Sequence, residues 1–191
     1  MSHCENTLVV LVDDDDNEVG TAQKIDAHRK AQLHRAFSVF LFNDELVLLQ
    51  KRTQNKYHSG GLWSNACCSH PLEGESVIEA AQRRLINELG IDPHGLSDLI
   101  DKGSFWYRAD FSNGISENEI DHVLVGTYQG PIRPNPCEVE KVRWASTDKI
   151  KEEIQQDPDK FTCWFSQAFS IALEKMELNT ADNKSIDPEE P

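Results

Sequence analysis

Cys67 and Cys68 stand side by side, with Ser69, His70 and Pro71 directly after them. Three chemistries fit such a group: half of a zinc site, a nucleophile beside its base, or plain buried sulfur. A structural zinc site wants short Cys/His pairs that repeat, and only this one is present. Adjacent cysteines also do not easily reach one ion together. Glu117 and Glu119 alternate in SENEID at the start of a strand pattern, so their side chains share a face about 7 Å apart. Two carboxylates so close are unfavourable unless a cation sits near them, although on pattern alone they read as a solvated strand end. Taken with His28, His34 and His70, they form a set suited to a divalent metal ligated by nitrogen and oxygen, in octahedral geometry. Arg84 and Glu88 are four apart on a helical stretch and read as an i,i+4 pair. Arg52, Lys56, Arg83 and Arg84 concentrate positive charge that would suit a phosphate group.

That basic cluster is local. The chain of 191 residues has a formal net charge of −14, 38 % hydrophobic and 27 % charged residues. So acidic a chain is a poor partner for a polyphosphate backbone, and no nucleic-acid partner is expected. The length suits one domain with a real core. No apolar run approaches the roughly 20 residues that span a bilayer, and TLVVLV lacks the basic start of a signal peptide. A cytoplasmic protein with no membrane partner, a monomer or weak homodimer, is expected. Five cysteines, an odd number with one adjacent pair, read as reduced thiols rather than a disulfide framework.

The elements that must position these residues follow from periodicity. TLVVLV (residues 7–12) reads as a strand and DDDDNEVG (13–20) as a solvated acidic turn without the alternating spacing of a calcium loop. Residues 35–52 hold two apolar β-rich runs around Asn43-Asp44, a hairpin signal. Residues 76–90 read as a helix. Val77, Ala81, Leu85 and Leu89 form its core-facing stripe, Ser76 caps it and Gly90 ends it. SFWYRADF and NEIDHVLVGTYQG read as strands joined by SNG, and CEVEKVRWAS as a further strand. DKIKEEIQQ and FTCWFSQAFSIALEKMEL read as helices. Residues 1–178 are expected to be one domain, and the polar, proline-ended stretch 179–191 a disordered tail. The order predicts an α+β domain on a mixed or largely antiparallel sheet flanked by helices.

EGESVIEAAQRRLINELGI resembles the Nudix box, G-x5-E-x7-R-E-U-x-E-E-x-G-U, where U is a bulky aliphatic. Glu75, Arg83, Leu85, Glu88, Gly90 and Ile91 match it. Ser69 stands for the opening Gly, Arg84 for the Glu after the Arg, and Asn87 for the first Glu of the pair. Nudix hydrolases use those carboxylates to hold metals, so the losses argue against diphosphate hydrolysis, which stays as the alternative reading. The degenerate box is similar to that of the type I isopentenyl-diphosphate isomerases. Further pieces of that family follow in order: AHRKAQLHRAFSVFLF, LLQKRTQNKYHSGGLWSNACCSHP, FWYRADF, ENEIDHVLVG and CWFSQAF.

The resemblance implies a Nudix-like fold and interconversion of isopentenyl and dimethylallyl diphosphate, a small-molecule substrate, in isoprenoid biosynthesis. It implies that His28, His34, His70, Glu117 and Glu119 hold a divalent metal, Mn2+ or Zn2+. It implies that Cys68 is the catalytic cysteine, and that Glu119, hydrogen-bonded by Tyr107, is the catalytic glutamate. Glu88 and the backbone carbonyl of Cys68 would hold a Mg2+ that arrives with substrate diphosphate. Lys24, Arg52, Lys56 and Arg84 would surround that diphosphate, and Trp164 would lie over the hydrocarbon end. Without the resemblance Trp164 reads as a plain core aromatic, and Cys67 keeps the reading of a small buried residue. Glu119 is expected to deliver the proton to the terminal carbon and Cys68 to remove one from the neighbouring carbon.

Overall fold

The computed structural model describes residues 7–182, with side chains described to residue 174. Strands β1 (Leu8–Val12) and β2 (Glu18–Gln23) form a hairpin across the acidic stretch. The expected turn is shorter than DDDDNEVG. The Asp13 carboxylate accepts from the backbone amides of Asp15 and Asn17, which closes the turn, and the chain resumes as strand at Glu18. Helix α1 (Lys24–Arg29), too short for a periodicity signal, follows at once.

Strands β3 (His34–Asn43) and β4 (Leu46–Arg52) form the expected hairpin, with Asp44 in the left-handed region at φ 52°. Two strands of a few residues come next, β5 (Trp63–Ser64) and β6 (Cys67–Ser69). Helix α2 (Val77–Leu89) matches expectation closely. Ser76 and Glu79 form a reciprocal capping box, and Gly90 ends the helix in the left-handed conformation. Strands β7 (Ile100–Asp110), β8 (Ser116–Thr127) and β9 (Val139–Ser146) precede helices α3 (Thr147–Gln156) and α4 (Phe165–Asp182).

Helix α4 begins at Phe165, later than FTCWF suggests, because the segment before it is used by the sheet. Phe161 bridges to Trp63, and the Thr162 amide donates to the Trp63 carbonyl at 3.0 Å. The helix also runs to Asp182, past the expected start of the tail at 179; Cys4 and residues 183–191 lie outside the described residues.

The sheet is mixed. β3 pairs in parallel with β8 from His34↔Glu119 to Phe42↔Thr127, and β7 adds antiparallel to β8. The other edge of β3 is shared by β1, β6 and β4, and β4 continues to β5 and β9. Both faces are covered. Phe37, Val39 and Leu41 pack on one side with Ala81, Leu85 and Leu89 of α2, while Phe40 and Phe42 pack on the other with Phe165 and Phe169 of α4. A strand buried on both faces explains the unbroken apolar run in FSVFLF.

Candidate active site

Strand parity and the β3–β8 register assemble the site. His34 lies opposite Glu119, so it shares a face with Glu117, Glu119 and Asp121, the face that carries Phe40 toward α4. In β6 the parity separates the two cysteines. Cys67 is fully buried in the core against α2, and Cys68 packs on the opposite side and lines the cleft. Four cysteines, 67, 68, 137 and 163, are free thiols among the described residues.

His28, His34, His70, Glu117 and Glu119, expected from positions spread over 92 residues, converge. One donor atom from each lies within 4.8 Å of all the others, and all five residues are buried. His28 Nδ1 meets the Lys24 carbonyl at 2.5 Å and His34 Nδ1 meets the Gln32 carbonyl at 2.8 Å, so each ring carries its hydrogen there and turns Nε2 inward. His28 Nε2 lies 3.0 Å and His34 Nε2 3.7 Å from Glu117 Oε2, and His70 Nε2 lies 2.8 Å from Glu119 Oε1. Even so, His34 Nε2 and Glu117 Oε2 are buried with no properly directed hydrogen bond. Buried polar atoms are normally paired, and a buried carboxylate pair repels. Inward nitrogen lone pairs, carboxylate oxygens and two atoms left without partners fit a divalent metal.

The electrostatics carry the same mark. Burial and the adjacent Glu119 push Glu117 up to about 7. Burial also works to raise Glu119, but the nearby His34 and His70 hold it well below the usual carboxylate range. Burial, aided by the Lys24 charge, drives His70 well below its ordinary value, which keeps the imidazole neutral.

Tyr107, opposite Glu119 in the β7–β8 ladder, donates its hydroxyl to Glu119 Oε2 at 2.5 Å. Cys68 accepts a hydrogen bond from Arg52 at 3.4 Å, and burial pushes its thiol up to about 11 although Arg52 opposes this. Trp164 is 3 % exposed, with its indole N–H on Asn65 and its ring 6.0 Å from Tyr107. The guanidinium of Arg52 lies 5.5 Å over that indole. Lys24, Arg52, Lys56, Cys68, Arg84, Tyr107, Glu119 and Trp164 all line one cleft.

Glu88 does not join the metal cluster. It is 2 % exposed and accepts from Arg84 at 3.0 and 2.5 Å. Glu138, unmarked by sequence reasoning, pairs with Lys56 and lies 3.6 Å from Arg84. Glu75 of the box is held by Arg83 at 2.7 and 2.6 Å. Lys56, Arg83 and Arg84 therefore each have a carboxylate partner.

Three further residues of the cleft escaped sequence reasoning. Asp121 continues the Glu117–Glu119 alternation, which was its available signal. It accepts from Ser38 at 2.7 Å, keeps Oδ1 unpaired, and is pushed well up by burial and Glu119. Tyr57 and His58, between Lys56 and a Ser-Gly-Gly turn, have no periodic signal at all. Tyr57 places its hydroxyl 3.4 Å from His28 Nε2, and His58 places Nε2 2.6 Å from Glu117 Oε1. Burial and the Arg52 charge bring His58 down to about 3.

Residues 32–165 match the NUDIX domain family. The solved structures that resemble the chain include a protein from Deinococcus radiodurans, with TM-score 0.72 and 17 % identity over 87 % of this chain and 99 % of that one. A MutT protein from Methanosarcina mazei follows the same fold, with TM-score 0.57, 18 % identity, and 80 % and 96 % coverage. In sequence, the chain is 42 % identical to the isopentenyl-diphosphate Delta-isomerase of Pectobacterium atrosepticum, over 86 % of this chain and 90 % of that one. It is 44 % identical to isopentenyl-diphosphate Delta-isomerase 1 of Aromatoleum aromaticum, over 82 % and 86 %. The chain belongs to the Nudix superfamily and, within it, to the isopentenyl-diphosphate Delta-isomerase family.

Proposed function

We propose that the chain interconverts isopentenyl diphosphate and dimethylallyl diphosphate by adding a proton at one carbon and removing one from another. One observation carries the reading: a thiol and a Tyr-bonded carboxylate, Cys68 and Glu119, line the same cleft with the indole of Trp164. Protonating an unactivated alkene creates a tertiary cation. An acid, a base, and an aromatic face that excludes water are what such a path requires, and cation–π attraction at a desolvated indole is worth roughly 2 kcal/mol or more.

Burial pushes the Cys68 thiol up to about 11, while His34 and His70 hold Glu119 below the usual carboxylate range. In one direction Glu119 delivers the proton to the terminal carbon and Cys68 removes one from the neighbouring carbon. The reverse reaction begins from the exchanged state. Tyr107 fixes the orientation of Glu119 through its hydroxyl.

Lys24, Arg52, Lys56 and Arg84 hold the diphosphate, and that binding energy positions the alkene between acid and base. His28, His34, His70, Glu117 and Glu119 hold a Mn2+ or Zn2+ ion, and Glu88 with the Cys68 carbonyl holds Mg2+ brought by the substrate. These ions supply positive charge that stabilises the buried carboxylates and the diphosphate. Arg84 and Asn87 stand where a hydrolase box carries two of its metal-holding carboxylates, which counts against hydrolysis.

Incubating the protein with isopentenyl diphosphate, Mg2+ and Mn2+ in D2O and following products by NMR tests the reading. Deuterium-labelled dimethylallyl diphosphate is expected. Released phosphate would move the assignment to a Nudix hydrolase, and unchanged substrate would sink the isomerase reading.

A further inference from the structure

Glu117 has two oxygens, and they face different surroundings. Oε2 points into the five-residue cluster, 3.0 Å from His28 Nε2. Oε1 points away from it and is met at 2.6 Å by Nε2 of His58, which is itself 8 % exposed. A ring nitrogen that close to a carboxylate oxygen carries the hydrogen. The other ring nitrogen lies 3.1 Å from the Ser59 hydroxyl, which can donate to it. The imidazole of His58 is thus oriented at both ends.

Its position is also built from outside. The ring stacks on Phe111 with centroids 4.7 Å apart and planes at 24°. The loop that carries it is closed by Gly61 N–H donating to the Arg52 carbonyl, and Asn113 donates to the Tyr57 carbonyl at 2.6 Å. Gly60 lies so close to the Gln54 backbone that a Cβ there would meet the Gln54 carbonyl oxygen at 2.5 Å. A side chain at position 60 would not fit this tight form, which returns His58 onto Glu117.

We propose that His58 is a positioning residue for the metal centre: with Nε2 only 2.6 Å from Oε1 of Glu117 it confines the carboxylate so that Oε2 alone is offered to the ion. A free carboxylate can rotate or bind an ion through both oxygens, whereas one held at a single oxygen presents the other in one direction. The backbone of His58 adds a second link. Its carbonyl accepts from Arg52 at 3.3 Å, so one residue touches both a metal ligand and a diphosphate-binding cation. The inference rests on reading the His/Glu cluster as a divalent-metal site.

The test is Mn2+ binding without substrate, followed by EPR and calorimetry on the full chain. Wild type is expected to bind. His58→Phe keeps an aromatic ring against Phe111 but loses the donor, and should weaken Mn2+ binding roughly 10–100-fold. His58→Gln places an amide N–H near the lost imidazole N–H and should recover most of the affinity. The number of imidazole nitrogens coupled to Mn2+ should stay the same in all three proteins. Circular dichroism and melting of the metal-free proteins identify any variant that fails to fold, in which case His58→Gln and His58→Asn, with donors of different reach, decide between them. Unchanged affinity in folded His58→Phe would overturn the role of His58, and so would loss of one coupled nitrogen, which would make His58 a ligand. No Mn2+ binding by wild type would overturn the metal reading itself.

Discussion

The two faces of β8 use the same residue types for opposite purposes. On one face Glu117 and Glu119 meet His28, His34 and His70; on the other His122 meets Asp16 and Asp101. The difference lies behind the rings. His28 and His34 each have a backbone carbonyl at Nδ1, so Nε2 is the nitrogen turned to the carboxylates. His122 has a carboxylate at each nitrogen, both at 2.8 Å, an arrangement that favours the charged ring. Arg35 completes that group on Asp16 at 2.8 Å. One face leaves buried atoms without partners and could hold an ion; the other satisfies itself. A histidine backed by a carbonyl reads as a ligand, and one between two carboxylates as a salt bridge.

The sharpest way to break this comparison is to change one group on each face. On the proposed reading Glu119→Gln removes both a metal ligand and a proton-transfer group, and isomerisation rates should fall roughly 10⁴-fold, the upper range for loss of a general acid–base. His122→Gln should leave the rate within about twofold, since a surface ion pair makes little net contribution. Steady-state conversion of isopentenyl diphosphate measures both. Equal losses would erase the distinction between the faces.

Strand β6 repeats the contrast at smaller scale. Cys68→Ala should lower turnover roughly 10²- to 10⁴-fold with little change in melting. Cys67→Ala should keep most of the turnover and instead destabilise the core by about 1 kcal/mol, through the cavity it leaves. Rate and thermal melting on the same samples separate the two. A catalytic defect in Cys67→Ala would place the wrong sulfur in the cleft.

Metal removal sharpens the comparison in terms of stability. Mn2+ at 100 times its dissociation constant should stabilise the fold by about 2.7 kcal/mol, and EDTA should abolish that gain. Scanning calorimetry should show the same shift in His122→Gln and a much smaller one in His34→Ala. An EDTA-insensitive melt in wild type would mean that the unpaired His34 Nε2 and Glu117 Oε2 are tolerated without an ion.

These contrasts were unevenly visible in the chain before folding. Helix α2 announces itself through Ser76, Gly90 and a four-residue stripe, because capping and periodicity are local. The β3–β4 hairpin is local too. The two- and three-residue strands β5 and β6 are too short for any period, and their pairing with β4 and β3 is a tertiary event. The parity of Glu117 and Glu119 follows from strand geometry, but what they face depends on a parallel register with His34, 85 residues earlier. Residue type alone grouped His34 with them as a candidate ligand, and the resemblance assigned it. His58 had neither parity nor a motif, and its role comes from a loop closed by glycines. Glu138 looked like one more acid in an acidic chain until Lys56 and Arg84 were found beside it.

His122 gives the smallest and most specific prediction. Burial works against its charge, but hydrogen bonds and attraction from Asp101 and Asp16 outweigh burial and hold it above its ordinary value. A histidine raised in the folded state binds its proton more tightly there than in the unfolded chain. Its stabilising contribution is therefore complete below the unfolded value near 6.5 and is lost as pH rises through the higher folded value. With side chains 17 %, 24 % and 35 % exposed for His122, Asp16 and Asp101, solvent screens the group and the contribution should be on the order of 1 kcal/mol. Urea unfolding of wild type and His122→Gln should thus differ at pH 6 and converge by about pH 9. Both samples should be kept in EDTA so that the opposite face stays metal-free and its own titration cancels between them. A difference that grows with pH would show that His122 is neutral, and the two faces of β8 would then be alike.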